Sequence, residues 1–213
     1  MTKLVKLLLG VAMLGAVGMA RADVAAPDVL IKNTVQDVTT IIKHDQDIQA
    51  GNQKKILALV DSKVLPNFDF TRMTQLAVGK YWRTATNEQK QSLVTEFRNM
   101  LVRTYTKVFT VYRDQAIEVK PLKMAADATE ATVQTVISKP GTPPVLVNYE
   151  MKKAADGWKA FDITIEGVSM VMSYRGTFAS EIQEKGIDGL IKTLADKNAH
   201  PSDEGDVRKA STK

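Results

Sequence analysis

The sequence predicts an α+β fold: a four-stranded antiparallel meander sheet whose one apolar face is covered by helices from both ends of the chain, around either an ordinary packed core or a hydrophobic pocket. Three observations lead there. Before about residue 115 the apolar residues recur at helical spacing; between 116 and 166 the period drops to two, with turn sequences between the runs; from 167 onward a helical arc returns.

The first 22 residues read as a secretory signal peptide. Lys3 and Lys6 precede an apolar run from Leu7 to Ala16, and Ala20-Arg21-Ala22 supplies the small-x-small cleavage pattern. The mature chain is then expected to be exported, to start near Asp23 and to be soluble, because no later segment approaches 18 apolar residues. No cysteine is available for a lipid anchor or a disulfide, so an apolar core must hold the fold. Losing the signal removes Lys3, Lys6 and Arg21 and no acid, leaving 26 bases against 24 acids, a balance that gives no reason to expect nucleic acid as a partner. Residues 23–197 are expected to form a single domain, helical over 27–114, sheet over 116–166 and helical again over 167–197, followed by an apolar-poor, disordered tail over 198–213.

The helices justify themselves in order. Ile31, Val35, Val38 and Ile42 share one face of a helix from Pro27 to His44, with proline suited to the first turn. Ile56 to Val60 mark a short helix ending before Pro66, and Thr71 to Val78 a third, closed by Gly79. Thr86-Asn87-Glu88-Gln89 is a capping box. After it Leu93, Phe97, Met100, Leu101, Tyr105, Val108 and Tyr112 recur at three- and four-residue steps, predicting a helix of roughly 37 Å at 1.5 Å per residue. Four strands follow: Ile117/Val119, Val133/Thr135/Ile137, Val145/Val147/Tyr149/Met151 and Phe161/Ile163/Ile165. They are separated by "AADAT", "KPGTPP" and "AADG". Glu118, Lys120, Gln134, Asn148, Glu150, Lys152 and Lys159 fall on the opposite, polar face.

The segment "IEGVSMVMSYRG", Ile165 to Gly176, is expected to end a strand at Gly167 and start a helix at Val168. That helix would place Val168, Met170, Val171, Met172, Tyr174, Phe178 and Ile182 in an arc of about 200°, with a break at Gly186. Arg175 falls inside the arc, where an unpaired charge is costly. It is expected to snorkel to water, to pair with Asp162, Glu166 or another carboxylate, or to meet a ligand phosphate.

Two blocks, residues 67–112 and 157–194, resemble the MlaC family, also called toluene-tolerance auxiliary proteins. The resemblance rests on "GKYWRTATNEQ", on the aromatic-rich helix that follows, and on "WKAFDITIEGVSM" with the later "KGIDGL". It implies a periplasmic carrier that buries the acyl tails of a glycerophospholipid between sheet and helices. In that family the carrier shuttles lipid between an outer-membrane lipoprotein-porin complex and an inner-membrane ABC transporter bearing an MCE-domain ring, maintaining outer-membrane asymmetry. Carried over by position, the lipid site draws on Phe97, Leu101, Tyr105 and Val108 of the long helix and on Val133, Val147, Tyr149, Phe161 and Ile163 of the sheet. Val168, Val171, Met172 and Arg175 complete it. A monomer without cofactor or metal is expected.

Enzyme chemistry finds little support. His44 and His200 are the only histidines, too few for a triad or a multi-histidine metal site. "GVSMV" lacks the closing glycine of a nucleophile elbow. Asp162 reads as a structural hydrogen-bonding or ion-pairing residue rather than a catalytic acid. The alternatives from the residues alone are a carrier of another small hydrophobic ligand and a ligand-free adaptor.

Overall fold

In the computed structural model, which describes residues 25–106 and 115–200, six helices and one sheet are built from signals that the sequence carries. The expected signal peptide, Val108 and nearly all of the expected tail lie outside those residues. Helix α1 is Pro27–His44, with Pro27 in its first turn and Ile31, Val38 and Ile42 buried. Asp45 then caps the short α2 (Gln46–Gln49) by accepting from the Asp47 and Ile48 backbones at 2.9 and 3.2 Å. Helix α3 (Gln53–Leu59), capped by Asn52, runs into a π turn at Val60–Val64 and a 3-10 turn at Leu65–Asn67 that absorbs Pro66. Asp69 caps α4 (Phe70–Val78) through the Arg72 backbone at 2.8 Å.

The capping box opens α5 (Asn87–Thr106) with both reciprocal bonds: the Gln89 backbone donates to Thr86 Oγ1 at 3.2 Å, and the Thr86 backbone to Gln89 Oε1 at 3.0 Å. The remainder of the expected long helix lies outside the described residues.

The sheet is a meander of five strands rather than the expected four: β1 (Ala116–Val119), β2 (Glu130–Ser138), β3 (Val145–Ala154), β4 (Gly157–Ile165) and β5 (Val168–Ser169), each antiparallel to the next. The fifth strand replaces the first turn of the expected helix. Glu166 and Gly167 both have positive φ, 49° and 83°, so "EG" is a two-residue hairpin turn that pairs Ile165 with Val168. Helix α6 therefore starts seven residues later than expected and spans Arg175–Ala199, after a 3-10 turn at Met172–Tyr174. Its break at Gly186 is where the sequence placed it, and its end lies beyond the expected limit at residue 197.

A bulge sets the facing of β4. Glu150 pairs with Asp162 and Met151 with Ala160, leaving Phe161 without a partner. The extra residue reverses parity, so Ala160 lies on the same face as Ile163 and Ile165. Trp158 and Ala160, on either side of the outward-facing Lys159, are buried with Val133, Met151 and Ile31.

The helices form a second core. Phe97 of α5 meets Tyr174 and Phe178 edge-on, at centroid distances of 5.4 and 5.2 Å, and Leu93, Leu190, Leu194 and Val171 fill the space around them. Polar bonds fasten α6 along α5. Gln89 Nε2 donates to Asp188 at 2.8 Å, Asn198 Nδ2 to Glu96 Oε2 at 2.7 Å, and the Arg103 guanidinium to the Lys197 carbonyl. The loop before α4 is pinned to the sheet, its Asp69 backbone donating to the Ala160 carbonyl at 2.9 Å and Lys159 to the Pro66 carbonyl at 2.8 Å.

Candidate functional site

Between the helices and the inner face of the sheet lies a cavity of about 300 Å³ whose walls are almost entirely hydrocarbon. Helix α1 supplies one wall through Ile31, Val35, Val38 and Ile42, four residues on one stripe because they are spaced i, i+4, i+7 and i+11. Val60, Val64 and Leu65 continue it, and Phe68, Phe70 and Met73 extend it along the start of α4. Opposite stand Leu101, Val102 and Tyr105 of α5. The sheet contributes Ile117, Ile137, Val147, Tyr149, Ile163 and Ile165, and Met170 follows just after β5.

Five of the thirteen expected site residues line this cavity: Leu101, Tyr105, Val147, Tyr149 and Ile163. Phe97, Val133 and Val171 do not; each is wholly enclosed in a packed core, at 0 % exposure. For Phe97 the cause is the chain around the start of α6, where Tyr174 of the 3-10 turn and Phe178 of α6 cover that stretch of α5 and leave only its later turns to face the cavity. Phe161 occupies the bulge and packs on the helical core, with the Arg72 guanidinium 5.8 Å above its ring. Val168 and Met172 are exposed, because the hairpin at Glu166-Gly167 places Val168 on the edge strand and Met172 in the 3-10 turn after it, rather than both in a buried helix. Val108 lies outside the described residues.

Arg175 is exposed, and its guanidinium lies against Gly79, where a Cβ would come within 3.1 Å of it. Neither expected carboxylate meets it. Asp162, itself buried, accepts from the Ser169 hydroxyl and from the Val171 backbone at 3.1 Å, and Glu166 accepts from the Leu146 backbone. Of the expected roles, solvent exposure describes its position.

What the sequence reading left out is the α1 wall. The stripe itself was legible; its destination was not, because nothing local says which element a stripe will face. Met170 was seen as part of an arc, and its position follows only from the hairpin.

Few polar groups reach the cavity. Burial pushes the Tyr149 phenol up, an effect partly offset by its hydrogen bond with Thr135. Asn67 Nδ2 donates to Thr34 Oγ1 at 3.1 Å and to the Lys63 carbonyl at 3.0 Å. Elsewhere, the "HDQD" sequence is committed to structure: Lys55 reaches Asp45 and Asp47 at 2.9 and 2.8 Å, and the His44 ring bonds the Thr40 carbonyl at 2.7 Å. Among the described residues no three His, Cys, Asp or Glu side chains gather to hold a metal ion, and no helix is long and apolar enough to cross a membrane.

Known proteins share both sequence and architecture with this chain. It is 21% identical over 179 residues to the intermembrane phospholipid transport system binding protein MlaC of Haemophilus influenzae, covering 83% of this chain and 84% of that protein. It is 24% identical over 183 residues to the toluene tolerance protein ttg2D of Pseudomonas putida, covering 85% and 84% respectively. Among solved structures, the phospholipid-binding protein of Ralstonia solanacearum, determined in complex with a phospholipid, superposes with a TM-score of 0.75 at 38% identity, over 82% of this chain and 98% of that one. Residues 32–196 match the family described as MlaC protein, a span that takes in most of α1, the whole sheet and nearly all of α6, and the chain belongs to that family.

Proposed function

We propose that this protein is a periplasmic phospholipid carrier that buries acyl tails in the cavity between α1, α5 and the sheet. It would leave the headgroup in water and pass its lipid between an outer-membrane lipoprotein-porin complex and an inner-membrane ABC transporter with an MCE-domain ring. The observation that carries the reading is the cavity itself: a hydrocarbon-walled space in a chain 38% identical to a protein solved with phospholipid bound. Each methylene withdrawn from water is worth about 0.8 kcal/mol, so acyl chains supply affinity without a specific headgroup contact. The volume of about 300 Å³ stands at the small end of ligand sites, which run from roughly 300 to 1,000 Å³, so loading a diacyl lipid requires the walls to part.

Mass spectrometry of the gently purified mature protein tests this. Stoichiometric diacyl phospholipid in the wild type, and its loss in a folded Ile163→Trp variant whose indole occupies the cavity, is the expected result. A protein that emerges empty and takes no lipid from vesicles overturns the carrier reading.

A further inference from the structure

The cavity wall made by the second half of α1 and the π turn belongs to a small lobe with a core of its own. Val38, Ile42, Ile48, Ile56 and Leu59 form that core, with Val64 packed against it; it is drawn from residues 38–64 alone and shares no residue with the core of α4, α5 and α6 or with that of the sheet. Polar bonds reinforce it: Lys55 reaches Asp45 and Asp47, Gln49 Nε2 donates to the Ile42 and Lys43 carbonyls at 3.1 and 2.8 Å, and Lys63 meets Asp37 at 3.7 Å. The chain enters and leaves this lobe side by side, because Asn67 Nδ2 donates at 3.1 Å to Thr34 Oγ1, 33 residues away along the chain. Beyond both points the chain is fixed. Asp28 accepts from the Leu122 backbone at 3.2 Å, Ile31 is buried with Val133, Met151 and Trp158, and the Asp69 backbone donates to the Ala160 carbonyl at 2.9 Å. At the entry point the Thr34 hydroxyl donates to the Leu30 carbonyl at 2.9 Å, a back-bond of the kind that bends helices. On the far side of the cavity, Arg98 of α5, three residues before the lining residue Leu101, pairs with Asp61 of the π turn at 2.8 Å and lies 5.7 Å from the centre of the Phe70 ring.

We propose that residues 36–64 swing as one lobe about Thr34 and Asn67 to open the cavity, and that the Arg98–Asp61 pair is the latch that holds the lobe against α5. The inference rests on the reading of the cavity as an acyl-tail site, whose volume of about 300 Å³ requires a wall to part. A body that moves about a few residues at its two chain connections is a hinge. Moving this wall leaves every packed core intact, since the lobe carries its own, whereas moving α5 against its neighbours would pull Phe97 from Tyr174 and Phe178. The latch suits repeated opening. Its Arg98 and Asp61 side chains are 37% and 57% exposed, and a pair so exposed shifts an equilibrium by no more than about fivefold.

The chain has no cysteine, so Asp61→Cys combined with Arg98→Cys supplies its only thiols, which a bifunctional maleimide with a reducible link can bridge. Exchange of a phosphatidylethanolamine bearing a pyrene-labelled chain between vesicles and the mature protein is followed by fluorescence, and bridging is scored by mass spectrometry. The unbridged double variant is expected to exchange lipid and the bridged form to do so more slowly by about tenfold or more. Reduction of the link should restore the rate, which shows that the bridged protein stayed folded. In the chain without thiols, Asp61→Ala should speed exchange by about two- to fivefold. Equal rates before and after bridging overturn the moving lobe, and a rate unchanged by Asp61→Ala overturns the latch. A wild type that takes up no lipid overturns the carrier reading and the inference with it.

Discussion

Asp162 and Ser169 face each other across the β4–β5 hairpin, the serine hydroxyl donating to one carboxylate oxygen while the other accepts from the Val171 backbone at 3.1 Å and from the Ile163 backbone at 2.8 Å. Ser169 Oγ in turn accepts from the Met172 backbone at 2.9 Å. The aspartate and serine of "DITIEGVSM" therefore form a latch that turns the chain from the sheet toward α6 and sets Met170 against the cavity. Asp162→Ala leaves the buried Val171 N–H without an acceptor, a loss of about 1–3 kcal/mol for that group alone. In a chain of this size each kcal/mol lowers the melting temperature by roughly 2–4 °C. Ser169→Ala, which leaves the carboxylate with its backbone donors, should cost less. Thermal melts of the two variants decide the order, and an Asp162→Ala protein that melts with the wild type would remove the latch.

Val171 and Leu101 separate core from cavity. Val171 is fully enclosed among α4, α5 and α6, so Val171→Ala should lower stability by about 2 kcal/mol, from lost hydrocarbon burial and the void left behind. The lipid content of the folded protein should not change. Leu101→Asp puts a carboxylate on the cavity wall and should abolish lipid retention in whatever fraction remains folded. Lipid analysis beside a melting curve distinguishes the two; lipid loss from folded Val171→Ala would return Val171 to the site.

The legible parts of this fold are those whose signal is local. Pro27, the Thr86–Gln89 box and Gly186 mark helix ends or breaks through their own backbone chemistry, and each stands where its residue type predicts. Parity along β2 and β3 was equally plain, which is why Val147 and Tyr149 share the inner face that lines the cavity. The misplacements trace to two events that local patterns do not announce. A bulge at Phe161 reverses the facing of β4, and a hairpin at Glu166-Gly167 turns an apolar run of helical spacing into an edge strand. Phe97 and Val171 show a different limit. Apolar periodicity says that a residue is inside, and only the tertiary arrangement says whether inside means a packed core or a cavity wall.

Glu181 ties the two halves of α6 together across their break. Its Oε1 accepts from Lys185 Nζ at 2.8 Å and from Thr193 Oγ1 at 2.6 Å, and these bonds, Lys185 first, hold its carboxyl below the ordinary glutamate range. A depressed carboxyl contributes stability that is present above its unfolded pKa, about 4.3, and is lost as the pH falls through the lower folded value. The wild type should therefore lose stability relative to Glu181→Gln as the solution is acidified below about pH 4.3, the unfolded value, with the gap between them widest near neutrality. Melting curves from pH 7 to pH 3 test this, and a gap of constant size across that range would show that the charge contributes nothing.

Gly186 is the residue that permits the break. Its φ of 75° and ψ of 178° lie in a region that is essentially closed to residues with a Cβ, while the space around it is open, with no atom within 4 Å of a built Cβ. The cost of Gly186→Ala is thus backbone strain alone, about 1–3 kcal/mol, without any steric clash. Gly176, in the first turn of the same helix, has equally open surroundings and no positive φ, so Gly176→Ala should stabilise by about 0.4–1 kcal/mol through the unfolded chain. The pair forms an internal control, since the same added methyl in open space is expected to move the melting temperature in opposite directions. If Gly186→Ala melts above the wild type, the break is not held by its backbone, and α6 would instead owe its shape to the Glu181–Thr193 bond and its packing on α5.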